Sequence, residues 1–93
     1  MLRGIIICPD VDLNERLEAI LTEIGIVSVT RTLDRYPSGL ELLRFLRAHA
    51  PQVVFVSTES TVKALEIARD VEKNTPGVQL VAVSRFEIGR AHV

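Results

Sequence analysis

Short, unbroken apolar runs alternate along this chain with longer stretches whose apolar residues recur every three or four positions. The first run, GIIIC at Gly4–Cys8, is β-branched and has no charged member, the pattern of a parallel strand covered on both faces. DLNERLEAILTEIG follows, with Leu13, Leu17, Ile20, Leu21 and Ile24 at helical spacing. Asp12 with Glu15 three residues on predicts a capping-box start, and Gly25 suits the position just past a helix end. In IVSVTRT, Ile26–Thr32, Val27 and Val29 alternate with Ser28 and Thr30, which predicts a half-exposed strand at a sheet edge.

The second half repeats the pattern. SGLELLRFLRAHA predicts a helix with Ser38 at its N-cap and Glu41 at the third helical position, stopped by Pro51. VVFVS, Val53–Ser57, predicts a third buried strand. STVKALEIARDVEKN predicts a third helix with an apolar stripe of Ala64, Leu65, Ala68 and Val71, ended by Thr75-Pro76-Gly77. VQLVAVS, Val78–Ser84, predicts the fourth strand. The order β-α-β-α-β-α-β with short connections implies right-handed crossovers and a parallel sheet.

Composition narrows the picture without changing it. With 93 residues the chain is one domain or part of one, and its 47% hydrophobic and 25% charged content is that of a globular protein. Eleven basic and twelve acidic side chains leave a formal charge of −1, which gives no support to nucleic-acid or membrane-surface binding. One cysteine, Cys8, excludes an internal disulfide and a thiolate metal cluster. No run approaches the length needed to insert in a bilayer, and the apolar start is too short for a signal peptide. The cytoplasm is the expected compartment, and no cofactor is called for.

With PQVVFVS ending at Ser57 and TPGVQLVAVS ending at Ser84, the chain resembles the receiver domain of bacterial response regulators over residues 2–85. In MLRGIIICPD, RTLDRYPSGLELLRFLRAHAPQVVF and ALEIARDVEKNTPG it is similar to one subgroup, the N-terminal receiver-like domain of CpaE-type pilus-assembly ATPases, relatives of MinD. The resemblance implies a flavodoxin-like, CheY-like α/β fold truncated to four strands in order 2-1-3-4 with three helices. It also implies five functional groups at the strand ends: an acidic pair holding magnesium, a phosphoacceptor aspartate, a serine or threonine, and a lysine. The acidic pair falls on Cys8 and Pro9, the acceptor on Ser57, and the hydroxyl on Ser84, which alone matches; the lysine lies beyond this chain. Proline has no side-chain ligand, a thiol is too soft for magnesium, and a serine hydroxyl is neutral at working pH. The resemblance therefore implies a degenerate pocket without phosphoryl transfer.

Each residue also has a plainer reading. Ser57 opens a turn toward the helix after STEST, where several N-caps are on offer, and no general base is recognisable nearby for a nucleophile or phosphorylated hydroxyl. Asp12 caps the first helix and Asp10 favours the turn; the alternative is a displaced acidic metal site of Asp10, Asp12 and Glu59. Cys8 reads as a small buried hydrophobe, the alternative being a reactive thiol at a helix N-terminus. Tyr36 reads as turn or surface, or as an aromatic anchor for a partner.

EIGRAHV breaks the pattern. Ile88–Val93 matches the translation of ATC-GGA-AGA-GCA-CAC-GTC, which resembles a sequencing-library adapter, and residues 87–93 are expected to be a non-native tail behind a unit spanning 1–86. No Walker-type glycine loop occurs in the chain. The expected role is a non-enzymatic regulatory or protein-interaction module acting on a protein partner or a downstream domain of the same chain. Its rivals are a receiver with a displaced magnesium site and a small-ligand sensor.

Overall fold

The apolar runs form one sheet. The computed structural model describes residues 1–85, so Phe86 and the expected tail at 87–93 lie outside the described residues. The elements are β1 (Leu2–Ile7), α1 (Val11–Ile24), β2 (Val27–Leu33), α2 (Gly39–His49), β3 (Val53–Ser57), α3 (Thr61–Asn74) and β4 (Gln79–Val83). All strand pairs are parallel, as the alternation predicts, and the order is β2-β1-β3-β4, as the resemblance implies.

The strand pleat sorts the core into two layers. Ile5 and Ile7 of β1 with Val54 and Val56 of β3 face α2 and α3, meeting Leu42, Leu46, Ala64, Ile67 and Val71. Ile6 and Cys8 with Val53 and Phe55 face α1, meeting Leu13, Leu17 and Leu21. Successive side chains of a strand point to opposite faces, so an all-apolar strand must have helices on both. Among the described residues no helix is long and apolar enough to cross a membrane.

Three details differ from expectation. The N-cap of α1 is Asp10, whose side chain accepts from Leu13 N, and not Asp12, which sits exposed in the first turn. The buried arc of α1 is rotated toward Asn14, so Ile20 falls at its margin and Ile24, in the last turn, is 57% exposed. In α3 the arc is rotated one residue back. Ile67 enters the core, while Leu65 is 52% exposed beside a groove lined by Leu80 and Ala82. Periodicity finds the apolar face of a helix, but contact with the sheet decides which margin is dry. The cap on α2 does match, with Glu41 accepting from Ser38 N at 3.4 Å.

Gly4 sits where three strands crowd. It pairs with Val29 and Val53, and the β1–β2 register shifts immediately after it, skipping Thr30. A Cβ at this position would lie 2.6 Å from Val27 Cγ1 and 3.2 Å from Val53 Cγ1. Both neighbours are buried branched side chains. Gly4→Ala should therefore cost about 1–3 kcal/mol, the usual range for overpacking, read by denaturant unfolding. An unchanged midpoint would mean the strands part at no cost.

Candidate functional site

In a parallel sheet every strand ends, and every helix begins, at the same edge. β1 leads on to β2 on one side and β3 leads on to β4 on the other, so the segments after β1 and β3 diverge. A crevice opens at such a reversal. Here it is a cleft of about 340 Å³ lined by Asp10, Leu13, Ser57, Thr58, Glu59, Ser84 and Arg85.

Its β1 wall is tied down. Cys8 is fully buried and its thiol donates to the Asp10 carbonyl at 3.4 Å. The buried Asn14 side chain donates to the carbonyls of Cys8 and Leu33, both at 3.1 Å, joining the ends of β1 and β2. Pro9 is half-buried and does not line the cleft. Asp10 uses both carboxylate oxygens: Oδ1 accepts from Leu13 N at 3.2 Å, and Oδ2 pairs with the Arg85 guanidinium at 2.7 Å. The pair spans the cleft from β1 to the residues after β4.

The β3 wall is a closed set of hydrogen bonds. Ser57 is 1% exposed, and its Oγ accepts from Glu59 N at 3.1 Å. Thr58 donates to the Val83 carbonyl through N at 3.0 Å and through Oγ1 at 3.2 Å. Tyr36 reaches across from the segment before α2; its hydroxyl donates to the Ser57 carbonyl at 2.7 Å and accepts from Ser60 N at 3.1 Å. Ser60 is the N-cap of α3, accepting from Lys63 N at 3.3 Å. The helix cap offered by STEST thus falls on Ser60, while Ser57 closes the turn before it.

Of the sequence candidates, Asp10, Ser57, Glu59 and Ser84 meet in the cleft, and Cys8 lies buried beneath it. Asp12 does not join them; its carboxylate faces Arg16 one helical turn on, at 3.9 Å. No group of three or more His, Cys, Asp or Glu side chains among the described residues is arranged to hold a metal ion. Sequence reasoning passed over Tyr36, Asn14 and Arg85 as parts of the site. Asn14 carried a faint signal, a polar residue beside Leu13 on the apolar side of α1.

Solved structures share this architecture. The signal receiver domain of NarL from Mycobacterium tuberculosis superposes with a TM-score of 0.72 at 19% identity, over 89% of this chain and 65% of that one. The fold is that of a receiver domain. No family model matches the sequence, and no curated protein matches it. This chain spans 65% of the receiver structure's length, and at that identity the likeness concerns the fold.

Within this receiver fold the strand-end thiol is held neutral. Burial pushes Cys8 above its ordinary value of 9.0, and the charges of Asp10 and Glu59 add to the rise. Because folding raises this pKa, the stabilisation is complete below the unfolded value and is lost as pH climbs through the folded one. The native thiol should react with an aromatic disulfide reagent about a hundredfold slower than in the unfolded chain. Stability should decline above about pH 9 in a way that Cys8→Ala removes. Rapid labelling of the native protein at neutral pH would contradict the burial.

Proposed function

We propose that this chain is a receiver-like regulatory module that has given up phosphoryl transfer and acts through protein contacts, on a partner or on a further domain of its own chain. The observation that carries the reading is the state of the β3 end. Ser57 stands there in place of a carboxylate, buried, with its hydroxyl accepting from Glu59 N. The amides of Thr58, Glu59 and Ser60 all donate within the protein. An incoming phosphoryl group needs positive charge, metal or free donors to stabilise its oxygens. The cationic group at this cleft, Arg85, is paired with Asp10.

The finer reading is that residues 1–86 are the front of a CpaE-type pilus-assembly ATPase and 87–93 are not native. It rests on the sequence resemblance of the segments around β1, α2 and α3. In that arrangement the module carries regulation or localisation and no catalysis of its own, and works in the cytoplasm.

Incubation with an acyl-phosphate donor and magnesium, read by intact mass, should add no phosphoryl group. Ser57→Asp alone should not restore transfer, because Cys8 and Pro9 still supply no metal ligands. A stoichiometric adduct on Ser57 would overturn the reading.

Genomic DNA read past codon 86 should leave the adapter-like sequence at once, continue the α/β pattern and reach a Walker-type glycine loop. A genomic stop codon directly after codon 93 would remove both the tail assignment and the ATPase assignment.

A further inference from the structure

One aromatic side chain lines one cavity and bonds to the wall of another. The strand-end cleft is walled by the β3–α3 loop. A polar cavity of about 230 Å³ lies between the start of α2 and α3, walled by Tyr36, Ser38, Gly39, Lys63, Glu66 and Asp70 among others. The Tyr36 ring is half-buried against the core layer of α2 and α3. Its hydroxyl clasps the loop through the Ser57 carbonyl and Ser60 N, contacts that span 21 and 24 residues of sequence.

The clasp, like the Glu59 N–Ser57 Oγ bond beside it, is only part-buried, next to the exposed residues Thr58 and Glu59. Water can take over both partners once the ring moves, so a released loop is accessible without unfolding the sheet.

We propose that Tyr36 is a latch that couples the two cavities: its ring lines the α2–α3 cavity while its hydroxyl holds the loop that walls the strand-end cleft. Filling the first cavity displaces the ring and frees Ser57 O and Ser60 N–H at the second. Any binder that favours the released arrangement shifts the loop by no more than its preference for that arrangement. The latch rests on geometry alone and goes beyond the regulatory reading above; it stands whether or not the cleft meets a partner.

Residue-resolved amide exchange tests it. Tyr36→Phe keeps the ring and removes the hydroxyl. Protection at Ser60 should fall about tenfold or more beyond any change at Ile6 and Val54, whose amides report opening of the whole sheet. Gly39→Leu puts an isobutyl group into the polar cavity, where a Cβ meets nothing nearer than Asp70 Oδ2 at 3.7 Å. It should lower Ser60 protection to the same extent, and the double variant should show no further loss. Continued protection of Ser60 in Gly39→Leu, or effects that simply multiply, would overturn the proposal.

Should Tyr36→Phe fail to fold, the chain's single tyrosine offers a second readout, because biosynthetic fluorotyrosine then labels Tyr36 alone. In Gly39→Leu its fluorine resonance should move toward that of the denatured chain while the sheet amides stay protected. An unmoved resonance would sink the latch.

Discussion

Everything in this molecule follows from two central strands that are kept dry. Each residue from Ile5 to Cys8 and from Val53 to Ser57 is buried. A dry strand must have its backbone donors and acceptors met on both edges and its side chains covered on both faces. β2 and β4 satisfy the first demand. Helices α1, α2 and α3 satisfy the second. The demand is strict enough that Gly4 carries no side chain, because Val27 and Val53 already fill that space. It also creates the cleft, since two buried strands that part in opposite directions leave a gap at their ends.

The fold was legible because this constraint writes itself in the sequence. Runs such as IIIC and VVFV have no polar member, whereas the edge strand β2 alternates; β4 departs from this, an unbroken LVAV run at the other edge. The margins were less legible. Asp10 and Asp12 are both plausible caps in sequence, and the choice depends on where β1 releases the chain. Leu65 and Ile67 differ only in which side of α3 the sheet touches. Ile20 and Ile24 fit a helical stripe yet lie toward water, because a stripe gives a direction and not the width of the surface it meets.

The site divides in the same way. Cys8, Ser57 and Ser84 could be placed at strand ends by counting, since they terminate apolar runs. What joins them could not. Tyr36 acts on residues 21 and 24 positions away, Asn14 bonds a carbonyl 19 positions away, and Asp10 meets a guanidinium at position 85. Each partner lies in a different element, so no window of sequence announces which residue it will meet. Local patterns report what a residue buries, whereas long-range hydrogen bonds report where the fold has carried it.

This wiring bears on what the strand-end cleft can bind. A cluster of carboxylates at one edge costs stability through mutual repulsion, and is kept only where metal or phosphate repays it. The ends of β1 and β3 carry Cys8, Pro9 and Ser57, which hold no charge to repel, and the edge is closed by ordinary structure. Ser57 closes its own turn, and Thr58 binds the end of β4. The carboxylate of Asp10 is drawn into a helix cap and an ion pair. Groups that satisfy one another in this way are unavailable to a small anion, but they hold the rim in one shape while the Tyr36 clasp is closed. A rim of fixed shape is what a protein surface requires of a neighbour, since less ordering has to be done on binding.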